Sequence, residues 1–124
     1  MNRAGGVPDP VLAEIRRICL AFPEAAEQET WGHPTFRVRA KILAGCGVSD
    51  EAEPVVTMTM KAATGEQDSL PATGHPFFLP KYVGSKGWIG FVIDGATDWS
   101  EVAELVEDSY REIAPKRLVA ESDT

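Results

Sequence analysis

The sequence predicts a two-layer α+β domain in which helices from both ends of the chain pack on one face of a five-stranded antiparallel sheet. Three observations carry that expectation. Apolar residues recur at three- and four-residue spacing near each end, alternation fills the middle, and turn-forming residues separate the alternating segments. The expected order is α-β-β-β-α-β-β-α.

Asp9-Pro10 reads as the start of the first helix, with Asp9 as N-cap and Pro10 at the first helical position. Leu12, Ile15, Ile18, Cys19 and Phe22 then form one apolar stripe, and Pro23 stops it. After the acidic turn from Glu24 to Glu27, a short strand around Gln28–Trp31 leads into Gly32-His33-Pro34. The segment Thr35–Leu43 alternates throughout and reads as a single strand. Phe36, Val38, Ala40 and Ile42 fall on one face, with Arg37, Arg39 and Lys41 on the other. A helix would scatter these bases around its girdle.

Ala44–Val48 and the acidic stretch Ser49–Glu53 read as a connection, which places Cys46 in a glycine-rich turn. Val55–Lys61 is the next strand, with Val56, Met58 and Met60 apolar and Thr57, Thr59 and Lys61 opposite. If it pairs with the preceding strand, Lys61 and the threonines join the basic face. Thr64–Leu70 has room for a short helix before Pro71, and Gly74–Pro80 reads as an apolar loop or short strand. Lys81–Gly84 and Trp88–Ile93, separated by Ser85-Lys86-Gly87, read as an irregular hairpin. Asp98-Trp99-Ser100-Glu101 resembles a capping box, and Val102, Leu105, Val106, Tyr110 and Ile113 form the stripe of the last helix. Pro115 ends or breaks it, leaving Lys116 and Arg117 near its C-terminus and a loose tail from Glu121.

A chain of 124 residues, 44% hydrophobic and 25% charged, is expected to form one domain without help from disulfides or metals, ordered from about 8 to 118. It has no apolar run of about 18 residues, and Met1–Gly6 lack the apolar stretch of a signal peptide, so a cytoplasmic protein is expected. The two cysteines, Cys19 and Cys46, agree with that and do not form a metal-ligand pair. Gly84-Ser85-Lys86-Gly87 lacks the nucleophile-elbow frame, and phosphate-loop and dinucleotide motifs are absent. No cofactor, no metal and no catalytic centre are expected, and the chain reads as a non-enzyme.

The net charge of −7 opposes long-range attraction to nucleic acid, but the charge is unevenly spread. Asp94, Asp98, Glu101, Glu104, Glu107, Asp108 and Glu112 cluster around the last helix, with Arg111 the one base among them. A local basic site elsewhere is therefore allowed.

Four groups of residues resemble the MmcQ/YjbR family. They are Trp31–Val38; Phe77–Gly84; Lys86-Gly87-Trp88-Ile89; and Asp98-Trp99 with Ser109-Tyr110-Arg111 and Ala114–Leu118. They occur in the family's order and span most of the chain from Pro10 to Leu118. The resemblance implies a five-stranded antiparallel sheet with flanking helices, similar to secretion-chaperone-like and CyaY-like shapes. It also implies DNA binding through a double-wing arrangement of hairpins.

The leading candidate site is the face bearing Arg37, Arg39, Lys41 and Lys61, because alternate strand residues stand about 6.5–7 Å apart, a spacing suited to successive phosphates. Trp31, Trp88 or Tyr82 would supply a stacking surface. The competing reading is a solvated face whose cations pair with Glu24–Glu29 or Asp50–Glu53. Lys81, Tyr82, Lys86, Lys116 and Arg117 form a second basic set, set against service as turn residues and helix-end charges. His33 is an accessory candidate; it and His75 each sit between glycine and proline. The leading expectation is a non-enzymatic domain binding DNA weakly and salt-sensitively. The runner-up is a protein- or small-anion-binding adaptor, and the third reading is an enzyme using His33. No membrane partner is expected, and the chain is a monomer or homodimer.

Overall fold

The computed structural model describes residues 6–30, 32–49, 52–62, 70–80 and 87–123. Helix α1 spans Asp9–Cys19; Pro8 is its N-cap, so Asp9 lies one position inside the helix rather than capping it. Its stripe of Leu12, Ile15, Ile18 and Cys19 is buried as the periodicity requires.

Six strands follow: β1 (Ala25–Thr30), β2 (His33–Val38), β3 (Lys41–Val48), β4 (Val56–Lys61), β5 (Phe77–Phe78) and β6 (Trp88–Ile93). All pair antiparallel in one sheet of order β1-β2-β3-β4-β6-β5. Helix α2 (Trp99–Ile113) lies on β3 and β4, and the shorter α3 is Lys116–Ser122.

The sixth strand arises where one long strand was expected. Thr35–Leu43 is a hairpin: β2 ends at Val38, the chain reverses through Arg39-Ala40, and Val38 pairs with Lys41. Arg39 adopts φ 58°, a left-handed conformation uncommon outside glycine and asparagine, and no glycine or proline marks the turn. Ala44–Val48, expected as a connection, belongs to β3, so Cys46 is a buried strand residue. The strand expected around Gln28–Trp31 begins earlier, at Ala25.

A bulge resets the alternation. Phe36 pairs with Ala44 but Arg37 pairs with Ile42, leaving Leu43 as the extra residue on β3. Leu43 and Ala44 are both fully buried against the helices, while Ile42 shares a register position with Arg37 and Ala40 is exposed in the turn. The expected apolar frame Phe36-Val38-Ala40-Ile42 therefore holds only for its first two members.

Ser109, buried in α2, satisfies the ladder at the bulge. Its hydroxyl donates to the Leu43 carbonyl at 2.7 Å and accepts from the Lys61 backbone N–H at 3.1 Å. A buried backbone group without such a partner costs about 1–3 kcal/mol, which explains a serine on an apolar stripe. Next to it, Tyr110 donates its hydroxyl to the Pro23 carbonyl at 3.0 Å and stacks on Phe22, tying α2 to the end of α1.

The covered face of the sheet is filled by Phe36, Val38, Leu43, Met58, Met60, Ile89 and Phe91, each 0–1% exposed. Asp98 caps α2 by accepting from the Ser100 N–H at 3.0 Å, an N-cap bond rather than the bond to the Glu101 N–H that a capping box would make. Pro115 ends α2, but the chain then makes α3, whose Leu118 is 1% exposed. Lys116 and Arg117 consequently open a new helix. The segment from Glu121, expected as a loose tail, continues that helix, and Asp123 pairs with Arg111. The expected strand Lys81–Gly84 and residues 64–69 of the expected short helix lie outside the described residues.

Candidate functional site

Among the described residues, no helix packs on the opposite face of the sheet. Alternation along β2, β4 and β6 directs Thr35 and Arg37, Thr57, Thr59 and Lys61, and Trp88 and Val92 to this face. Gly45 and Gly47 occupy the same face of β3, between Thr35 and the β4 threonines. The helix-covered side is bulky and apolar. The open side is richer in small, hydroxylated and cationic residues, with Trp88 and Val92 among them.

Two hollows border it, one at the end of the sheet and lined from both faces, the other on the open face itself. The first, about 480 Å³, lies where the β2–β3 turn, the end of β4, the start of β6 and the last turn of α2 meet. Among the described residues, Arg37, Lys41, Lys61 and Trp88 line it together with the carboxylate of Glu112. The described wall is thus locally basic in a protein of net charge −7. Arg37 is half-buried, and its Nη2 donates to Thr30 Oγ1 at 3.3 Å. Its Nε is buried with no acceptor among the described residues. A buried charged donor left unmatched is costly, so the guanidinium holds hydrogen-bonding capacity that its described neighbours do not use.

The second hollow, about 330 Å³, is a trough along β3 floored by Gly45 and Gly47 and walled by Thr30, Thr35, Thr57, Thr59 and His33. Thr35 Oγ1 donates to the Gln28 carbonyl at 2.7 Å and stands 3.1 Å from Thr30 Oγ1. Arg37 and Thr30 therefore form a shared wall between the hollows. His33 is exposed, and its imidazole covers Gly47, with Nδ1 only 2.8 Å from where a Cβ would stand. That position suits a trough-lining residue.

The expected basic face is thus only partly assembled. Arg37, Lys41, Lys61 and Trp88 meet. Arg39 does not join them: the turn carries it to Glu24, with Nε 3.0 Å from Oε1. This is the ion pairing that the competing reading anticipated, and it lowers the Glu24 pKa through hydrogen bonding to the guanidinium. Arg117 approaches the same carboxylate at 4.0 Å, so Arg39 and Arg117 form a separate cluster, and Lys116 is exposed on the first turn of α3. Trp31, Lys81, Tyr82 and Lys86 lie outside the described residues.

What sequence reading missed is the trough. Glycines at 45 and 47 signal a turn by composition, and only the β3 pairing turns them into a floor. The remaining titratable groups add little. His75 stands 3.4 Å from Asp94, an exposed contact at the far end of β6. Burial pushes the Cys19 thiol far up and the Cys46 thiol up to about 12, so both are inert packing groups. No group of three or more metal-binding side chains is positioned to hold an ion among the described residues. No described helix is long and apolar enough to cross a membrane.

A protein-family model described as YjbR matches residues 20–112. The chain belongs to the YjbR family. Two crystal structures share the fold at 16% sequence identity. A Deinococcus radiodurans protein with the DUF419 domain aligns with a TM-score of 0.70 over 90% of this chain and 87% of its own. A Pseudomonas syringae protein aligns with a TM-score of 0.66 over 90% and 98%. None of the curated proteins matches the chain. The YjbR fold expected from the motif segments is therefore present, with six strands among the described residues where five were expected.

Proposed function

We propose that this YjbR-family chain is a non-enzymatic binding domain whose open sheet face takes a phosphate-bearing ligand, namely the phosphorylated end of single-stranded DNA. The observation carrying this reading is Arg37. Its buried Nε lacks an acceptor among the described residues, on the wall of a hollow that also presents Lys41, Lys61 and Trp88. Guanidinium and ammonium groups together suit phosphate oxygens, and a half-buried tryptophan beside them offers a stacking surface.

Duplex DNA suits the surface less well. Arg39 is engaged by Glu24, Glu112 sits on the wall of the hollow, and the overall charge repels a long polyanion. A compact cluster of three cations matches a phosphate terminus better than a continuous backbone.

The test is a fluorescence titration with a 5′-phosphorylated oligothymidylate at several salt concentrations. With roughly three phosphate contacts, the slope of log affinity against log salt is expected near about −2. Arg37→Ala combined with Lys61→Ala should abolish measurable binding. Affinity unchanged in that double variant, or no binding by the wild-type chain at low salt, would refute the reading.

A further inference from the structure

We infer that the Gly45–Gly47 trough is a nucleobase subsite: it holds a base of the same DNA strand whose phosphate occupies the Arg37–Lys61 hollow. The inference rests on the binding reading above and extends it to the part of the ligand that carries no charge.

Three observations support it. First, the trough adjoins the cationic hollow. Thr35 and Arg37 are two residues apart on one strand face, about 6.5 Å along β2, and Arg37 bonds Thr30 on the trough wall. That separation is comparable to the reach from a nucleotide's phosphate to its base.

Second, Gly45 is not demanded by the fold. A Cβ there would stand 3.5 Å from Thr59 Oγ1 and 3.7 Å from Thr35 Cγ2, ordinary contacts, and its φ is not in the left-handed region. Glycine inside a strand costs stability, and its use where alanine fits points to close approach of another molecule to the backbone. Gly90, on the neighbouring part of the same face, makes the contrast. A Cβ there would lie 2.3 Å from the Phe78 ring, so the protein itself covers that glycine. Gly45 is buried as well, but a Cβ there would meet only the flanking Thr59 and Thr35 side chains and the Pro34 carbonyl, none nearer than 3.5 Å.

Third, the walls offer uncommitted polar groups. The half-buried hydroxyls of Thr57 and Thr59 take no part in the hydrogen bonds of the described residues, unlike that of Thr35. A hydroxyl serves as donor or acceptor, so the pair suits the mixed edge of a base. His33 closes the end of the trough over Gly47. A base is accessible to such a trough in single strands and hidden in a duplex, which is why the occupant is single-stranded.

The experiment compares a 5′-phosphorylated tetrathymidylate with an abasic tetramer bearing the same phosphates, by fluorescence titration against the wild-type chain, Gly45→Ala and Thr59→Val. The expected result is tighter binding of the thymidylate by the wild type, about tenfold, with that preference lost in Gly45→Ala. The melting temperature of Gly45→Ala should hold or rise, so weaker binding is not a folding defect. Thr59→Val, which keeps the volume and removes the hydroxyl, should reduce the preference about threefold. Equal affinity for the two oligomers would overturn the base subsite and leave the phosphate site standing. No binding of either would overturn both, and so would binding that ignores Arg37→Ala.

Discussion

The two faces of this sheet come from the same strands and obey opposite rules. On the helix-covered face, β3, β4 and β6 present Leu43, Met58, Met60, Ile89 and Phe91, all 0–1% exposed. On the open face the same strands present Gly45, Gly47, Thr57, Thr59, Lys61 and Trp88. The covered face is optimised for burial: even Ser109, a polar residue packed against it, is bonded through its hydroxyl as both donor and acceptor. The open face leaves a guanidinium nitrogen and two hydroxyls unmatched among the described residues. Tight satisfaction on one side and unsatisfied capacity on the other is what separates a surface that stabilises from one that binds.

Substitutions on the two faces should therefore differ in size and sign. The largest effect is expected for Phe36→Ala, which empties a fully buried position against the helices. Urea unfolding should show a loss of about 3–5 kcal/mol. Ser109→Ala comes next. It strands the Lys61 N–H and deprives the Leu43 carbonyl of its bond, and the same measurement should give a loss of about 1–3 kcal/mol. Gly90→Ala, although on the open face, should also destabilise, by about 1–2 kcal/mol, because Phe78 must leave its seat. Gly45→Ala should reverse the sign, stabilising by about 0.5–1 kcal/mol while weakening oligonucleotide binding. A loss of stability there would mean that the trough is a packing feature.

The smallest effect separates two arginines that sequence alternation treated alike. Arg39→Ala should leave oligonucleotide affinity unchanged in a fluorescence titration, since Arg39 is turned to Glu24. Arg37→Ala should lower that affinity at least tenfold, the scale of a lost charge-assisted contact.

Much of the fold was legible. The stripes of α1 and α2, the alternation of β4, and the Asp98 cap each follow from local periodicity or capping chemistry, and tertiary structure does not override them. The hairpin at Arg39 was hidden because its turn contains neither glycine, proline nor asparagine, and alternation runs through it unbroken. The bulge at Leu43 was hidden because an extra residue is defined by the partner strand, not by its own sequence. α3 escaped because seven residues are too few to display a period, although Leu118 anchors them. The site shows the same division. Arg37, Lys61 and Trp88 were readable from charge and aromatic identity, whereas the trough depends on which strands flank two glycines.

The central claim is that the open face holds the ligand, and amide chemical-shift mapping tests it most directly. The isotopically labelled protein would be titrated with a 5′-phosphorylated tetrathymidylate and its backbone amides followed. The account predicts shifts concentrated at Thr35–Arg37, Gly45–Gly47, Thr57–Lys61 and Trp88, with α1 and the outer side of α2 silent. Shifts confined to the Glu24, Arg39 and Arg117 cluster, or no shifts at low salt, would contradict it.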